Sequence, residues 1–267
     1  MITWFKSKDT KKSSSTNEKD DFTSISSHEL RTPLSVIKWY TEMLLDEDAG
    51  PLTEDQRTYL TTIQSSNQRA IDLIRSLLNV SRLNHGTFCI VPTDVSLENL
   101  IEEVLSSSLS DSNTKNITIS KKYDEVPRTI VSDKNMCLVV IKNLITNAIS
   151  FSKQEGVITI SSSYLAKNTL LGGKKLIKDS IVVTVTDTGI GIPGIDQEKI
   201  FSKMFKASNS KDSETAGSGL GLYIAKTALT LLGGHLWFTS SLGEGSTFYA
   251  AFPEEAVTKK EGTATLD

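Results

Sequence analysis

Cysteine is nearly missing from this chain of 267 residues: there are two, Cys89 and Cys137, in apolar-leaning contexts and without CxxC spacing. That argues against a disulfide framework or a structural zinc site and fits a reducing compartment. Proline and glycine number only 6 and 16, and with 38% hydrophobic residues the composition is globular, enough for one large domain or two ordinary ones. An excess of one charge is lacking too. Lys plus Arg number 29 and Asp plus Glu 32, a net of −3, so there is no strongly basic face of the kind a nucleic acid needs. The longest unbroken apolar run, Met136 to Ile141, is far short of the roughly 20 residues that cross a bilayer. No membrane contact is expected within the chain. Met1 to Phe5 are too short for a signal peptide, and lysines follow at once. The expected location is cytoplasmic, with any membrane anchor in a segment outside this chain.

The first twenty residues read as a solvated tail or linker, holding five Lys, three acids and seven Ser or Thr. From Asp21 to about Asp46, Phe22, Ile25, Val36, Ile37, Tyr40, Met43 and Leu44 recur at helical spacing. A Gly-Pro turn at Asp48 to Pro51 interrupts, and Thr53 is a plausible N-cap for a second helix. Leu60, Ile63, Ala70, Ile71, Ile74, Leu77, Leu78 and Leu83 extend that helix until Asn84-His-Gly86. Two long helices joined by a short loop make an antiparallel hairpin over residues 21–86. Two helices cannot cover both apolar stripes, and a homodimeric four-helix bundle does.

After Pro92 the texture changes. Helices are expected at Ser96–Ser106, Asp133–Ser152 and Leu220–Leu232, and strands at Ile117–Lys121, Val157–Tyr164, Ile181–Asp187, His235–Ser240 and Ser246–Phe252. A polar Gly-Gly-containing segment, Ala166 to Asp179, separates two of the strands. The pattern suggests an α/β sandwich over 87–253, one mixed sheet covered by helices on one face. The stretch 254–267 is small and polar and is expected to fray.

Four constellations carry chemistry. In Phe22-Thr-Ser-Ile-Ser-Ser-His28-Glu29-Leu30-Arg31-Thr32-Pro33-Leu34, Glu29 can accept an N–H of the His28 imidazole and raise the nucleophilicity of its other nitrogen. Thr32 stands one turn on, and Pro33 is expected to kink the helix beside the histidine. In Asn143-Leu-Ile-Thr-Asn147-Ala148, two amides share one face of an apolar helix, with Asp133 upstream. They serve either as structural hydrogen bonds or as hard oxygen ligands for a magnesium ion on nucleotide phosphates. In Asp187-Thr-Gly189-Ile-Gly191, an aspartate at a strand end can receive the exocyclic amine of adenine while the glycines let backbone approach the ring. Gly217-Ser-Gly219-Leu220-Gly221-Leu222 opens a helix, which suits a cradle of backbone N–H groups for phosphate. The dinucleotide fingerprint and the Walker A spacing both fail, including at Gly172-Gly173-Lys174-Lys175, and neither H-R-D nor D-F-G occurs.

In this order the boxes resemble the cytoplasmic core of bacterial sensor histidine kinases: the H box from His28 to Leu34, the N box at Asn143 and Asn147, and two glycine boxes. Ile200 to Lys206 resembles the F box, followed by a polar lid over 207–219, and Gly243-Glu-Gly245-Ser246-Thr-Phe248 resembles the late element beside adenine. The resemblance implies ATP and Mg2+ as cofactors, with Asn147 holding the ion and Asn143, Phe151, Asp187, Gly189, Gly191, Phe205, Lys206, Gly217, Gly219, Leu220, Gly221, Leu222 and Ser246 around the nucleotide. It implies autophosphorylation of His28 with Glu29 as base, then transfer to an aspartate of a response regulator. Two departures stand out. Ser150-Phe151-Ser152 lacks the customary Lys after the N box, leaving Lys153 or the lid to supply charge, and Lys206 replaces the usual F-box Arg. They support a rival reading, a degenerate kinase acting as a dimeric scaffold. Another rival is a net phosphatase using Glu29 and Thr32. An ATP-driven clamp of the chaperone or topoisomerase kind would leave the H box unexplained. His85 and His235 have no motif partner and read as structural or surface residues.

Overall fold

In the computed structural model, which describes residues 29, 32–124, 128–210, 217–262 and 264–266, the chain divides after His85 into two units. In the first, residues 32–45 form a helix, α1. The expected start of that helix at Asp21 and the histidine itself, His28, lie outside the described residues. The chain turns through Glu47 and Gly50, both at positive φ (62° and 114°). It then enters α2, Glu54–His85, whose 32 residues span ~48 Å. Thr53 caps α2 reciprocally with Gln56: the Thr53 N–H donates to Gln56 Oε1 at 2.9 Å and the Gln56 N–H to Thr53 Oγ1 at 3.3 Å. Gly86, at φ 67°, ends it. The helices run antiparallel, since Asn67 Nδ2 donates to Leu34 O at 2.8 Å while Arg57 reaches Leu45 O at the other end. Ile71, Leu78 and Leu83 of α2 are buried, yet Val36, Ile37, Trp39, Tyr40, Tyr59, Ile63 and Leu77 stay exposed in the single chain.

The second unit is built on a five-stranded sheet in the order β2-β4-β7-β9-β8. Its strands are β2 (Thr118–Tyr123), β4 (Val157–Leu165), β7 (Ser180–Asp187), β8 (His235–Ser241) and β9 (Gly245–Pro253). β2 and β4 are parallel and the remaining neighbours antiparallel. Helices α3 (Leu97–Thr114), α4 (Lys134–Phe151) and α5 (Gly221–Leu231) pack together, α4 lying against β7. Ile141, Leu144, Ile145 and Ala148 of α4 meet a core that includes Ile158, Ile160, Val183 and Val185. Lys115 closes the far end of α4 by donating to Ile149 O (3.1 Å), Ser150 O (2.5 Å) and Ser152 O (3.4 Å). A cation there complements the helix dipole.

Three features depart from the sequence expectation. β1 (Pro92–Ser96) and β3 (Thr129–Asp133) pair in a separate antiparallel ribbon. The polar segment Ala166 to Asp179 contains a hairpin of β5 (Leu170–Leu171) and β6 (Lys174–Lys175). It covers the second face of the sheet: Leu176 joins Val182, Trp237 and Ala251 in a small core flanked by Leu165, Leu171 and Tyr249. A Cβ on Gly172 would lie 2.5 Å from Tyr249, so the hairpin tip needs glycine to lie flat there. The described residues after Pro253 do not fray. Val257 N donates to Val131 O, Lys260 and Ile90 exchange backbone bonds, Cys89 N donates to Ala264 O, and Leu266 is buried.

Candidate nucleotide and phosphotransfer sites

The strand order brings the end of β7, the start of β9 and the end of α4 together, and the glycine boxes follow from that. Asp187 closes β7 opposite Ser246 of β9 and is 6% exposed. Its Oδ1 accepts the Gly189 N–H at 2.9 Å. Burial, the largest effect, pushes the carboxyl above its ordinary range, while the N–H groups of Gly189 and Ser246 oppose that.

The glycines here are required by close approach. A Cβ on Gly189 would stand 2.3 Å from Phe151 O, and one on Gly191 (φ 64°) 2.0 Å from Ser241 O. One on Gly245 (φ 111°) would stand 2.0 Å from Asp187 O. The loop after β7 is therefore pressed against both the end of α4 and the β8–β9 turn. Residues without a motif complete the clamp. Ser240 Oγ accepts the Ile192 N–H and contacts Gly245 O and Ser246 Oγ, each at 2.9 Å. Gln197 Nε2 donates to Ile192 O and Ser240 O, both at 3.1 Å. Sequence reasoning missed Ser240 and Gln197 because a single hydroxyl or amide carries no pattern.

The two N-box amides part company. Asn143 Nδ2 donates to Val139 O at 2.7 Å, and its Oδ1 lies 2.5 Å from where a Cβ of Gly221 would stand. It thus fits α4 to the opening of α5. The half-buried Asn147 side chain makes no hydrogen bond among the described residues, so its amide oxygen is available to a hard cation. No group of three His, Cys, Asp or Glu suited to a metal occurs among the described residues. An ion here would take Asn147, phosphate oxygens and water, a donor set that fits magnesium. Asp133, upstream of Asn143, is the N-cap of α4: Oδ1 accepts the Met136 N–H at 2.9 Å and Oδ2 the Val91 N–H at 2.8 Å.

α5 begins without a side-chain cap, leaving the first-turn N–H groups open to an anion. Gly219, at φ 73°, would clash through a Cβ with Met204 and Phe205 O, so the second glycine box rests on the F box. Gly217 is open, Leu220 is 1% exposed and offers only its backbone, and Leu222, Phe205 and Lys206 are half-buried. Phe201 packs edge-on to Phe238, with Lys226 Nζ 4.5 Å from its ring centre. The expected lid begins tied down. Asp196 Oδ2 accepts both Ser208 N and Ser208 Oγ at 2.7 Å, and Asn209 Nδ2 donates to Gly191 O at 3.0 Å. Residues 211–216 of it lie outside the described residues. Lys153, considered for phosphate charge, donates to Gly243 O at 2.6 Å. Of the H-box residues named for chemistry, Glu29 and Thr32 are exposed on helical backbone.

Comparison with known proteins fits both units. Residues 18–86 match the His Kinase A (phospho-acceptor) domain, and residues 132–256 match the histidine kinase-, DNA gyrase B- and HSP90-like ATPase. Together they cover well over half of the chain. The chain belongs to the sensor histidine kinases, as their catalytic core. Among histidine kinase relatives, the circadian input-output kinase CikA of Synechococcus elongatus is 30% identical over 90% of this chain and 30% of its own length. The signal transduction kinase BarA of Escherichia coli is 32% identical over 86% of this chain and 24% of its own. The chain thus spans about a third or less of these curated relatives. Full-length ShkA, solved in complex with AMPPNP, shares the fold at a TM-score of 0.66 and 24% identity, over 90% of this chain and 47% of its own. The histidine kinase AdeS of Acinetobacter baumannii does so at 0.55 and 18%, over 85% and 98%. The second unit of this kinase core is accordingly an ATP-binding domain.

Proposed function

We propose that this core transfers the γ-phosphoryl group of ATP to a His28 imidazole nitrogen and then to an aspartate of a response regulator receiver domain, working as a homodimer. The observation that carries the reading is the pairing of an intact H box with a buried Asp187 and an uncommitted Asn147 in the ATP-binding domain. Asp187 accepts the adenine amine, for which its carboxylate is held in place by Gly189. The open N-terminal turn of α5 receives phosphate oxygens through backbone N–H groups. Glu29 takes proton density from His28 as the other nitrogen attacks phosphorus. A magnesium ion, when bound at Asn147, supplies charge neutralisation on the phosphates.

A second reading, a core that binds ATP without transferring it, draws support from one contact. Ser150 stands where the family places lysine, and the neighbouring Lys153 ammonium is engaged by Gly243 O. Incubation with γ-labelled ATP and magnesium separates the two. Label lost in acid, stable in alkali and missing from His28→Gln supports phosphotransfer to His28. Bound ATP with no label supports the scaffold.

A further inference from the structure

The hairpin of β5 and β6 does more than cover the sheet. Between it and the start of β8 lies a cavity of about 330 Å3, walled by Lys174, Lys175, Lys178, His235, Trp237 and Pro253. Ser180, the first residue of β7, also lines it, whereas the nucleotide residue Asp187 is the last. Seven residue steps separate the two ends, ~24 Å along the strand.

The chemistry of the cavity is one-sided. The segment 166–179 carries four lysines against a single aspartate. Lys178 is matched by Glu255 at 2.6 Å. Lys174 Nζ instead sits 3.2 Å from His235 Nε2, a contact that requires the ring nitrogen to act as acceptor and the imidazole to be neutral. Lys175 pairs with Leu170 through its backbone, while its ammonium makes no hydrogen bond or ion pair among the described residues. Burial, then Lys174, then Lys226 hold the His235 pKa below its ordinary value. Lys174, Lys175 and Lys178 line the same cavity as His235 and only Lys178 is matched by a carboxylate, which leaves uncompensated positive charge in a concave site. Apolar surface adjoins these groups: the Trp237 ring lies 5.8 Å from that of His235, and Leu176 and Pro253 line the same cavity beside Ile177, 69% exposed. Positive groups and apolar surface side by side in one cavity match a small molecule that joins a phosphate to an organic part.

We infer that the cavity between the β5–β6 hairpin and β8 is a second ligand site, binding a small organic phosphate through Lys174, Lys175 and His235. The phosphate takes the place of a missing counter-charge, and the organic part lies on the Trp237–Pro253 wall.

The test uses the whole chain, its nucleotide site saturated with Mg-ADP. There are three histidines in all, so the His235 imidazole resonance is assigned by its disappearance in His235→Gln. Titration of pH is run alone, with sodium chloride at matched ionic strength, with inorganic phosphate, with ribose 5-phosphate and with a nucleoside monophosphate. The expected result is an upward shift of the His235 midpoint by half a pH unit or more with the organic phosphates, at lower concentration than with inorganic phosphate. Ribose 5-phosphate and the nucleotide then show which organic part the wall prefers. In Lys174→Ala/Lys175→Ala, which lies outside the nucleotide site, the midpoint no longer responds and Mg-ADP affinity is unchanged. A shift equally produced by sodium chloride, a shift surviving in the double variant, or no preference for organic over inorganic phosphate overturns the inference.

Discussion

Gly221 offers the sharpest quantitative test of how the nucleotide site is assembled. It is the first residue of α5, and a methyl group there would lie 2.5 Å from Asn143 Oδ1. Alanine is otherwise welcome at a helical position, by up to ~1 kcal/mol over glycine. The contact reverses the sign. Asn143 can retreat only by giving up its 2.7 Å bond to Val139 O, a loss of ~1 kcal/mol. If it stays, α5 must move off α4, with an overpacking cost of about 1–3 kcal/mol. Gly221→Ala should therefore lower the stability of the ATP-binding domain by about 1–2 kcal/mol net, a fall of ~2–8 °C in Tm for a domain of this size. In an Asn143→Ala background the obstacle is gone, and Gly221→Ala should become neutral or stabilising. Thermal unfolding of the four proteins without nucleotide, followed by circular dichroism, measures the coupling. It should exceed ~1 kcal/mol, well above the ~0.5 kcal/mol scatter of independent sites. Additive effects would mean that Asn143 does not fit α4 to α5, and the reasoning fails.

Asp187→Asn should weaken ATP binding while stabilising the empty domain in a pH-dependent way. Burial raises the folded-state pKa of Asp187 above its unfolded value of 3.8, so the penalty is nil below 3.8 and grows as pH rises through the folded value. Denaturant melts should show the Asn variant gaining on the parent between pH 3.5 and 6.5; a constant difference rejects the burial argument. Thr32→Ala should keep autophosphorylation and lose dephosphorylation of the regulator, and a parallel decline of both rates on one preparation rejects a phosphatase role for Thr32. Ile63, 47% exposed on α2 in the single chain, should lie in the dimer interface. Ile63→Glu is expected to shift the sedimenting species from dimer to monomer, and an unchanged dimer places the interface elsewhere. Asn147→Ala should lower magnesium-dependent nucleotide affinity, and equal affinity with and without the metal in both proteins removes Asn147 from the ion.

The legible parts of this molecule were those in which several residues had to obey one period or one spacing. The apolar rows of α2 and α4 announced helices because a wrong period would expose them. Thr53 was readable as a cap because its environment is local. The ribbon of β1 and β3 was not, since Pro92–Ser96 presents only Val95 to a buried position and gains its partner from a strand far along the chain. The hairpin at Leu170 to Lys175 was hidden for a similar reason. Its strands have two residues each, too few for alternation, and what holds them is the Trp237–Tyr249 surface beneath. Within the site, Asp187 and the glycines were visible as a motif, but the division of labour between Asn143 and Asn147 was not. Sequence spacing puts both on one face, and only the approach of Gly221 decides which amide is already engaged.

The pairing of the last residues with the first of the ATP-binding unit has a topological consequence. Phe88 bridges Ala264 and Ile90 bridges Lys260, while Lys260 Nζ donates to Gly86 O at 2.8 Å and lies 3.6 Å from the centre of the Phe88 ring. Entry and exit of this unit are therefore neighbours, ~5 Å apart across paired backbone. The unit is a nearly closed loop of chain, transplantable as an insert into a surface turn of another protein without stretching either junction. For the same reason a short linker should join the chain near Gly86 to the chain near Ala264, and new termini could be opened in an exposed loop while the sheet order is kept.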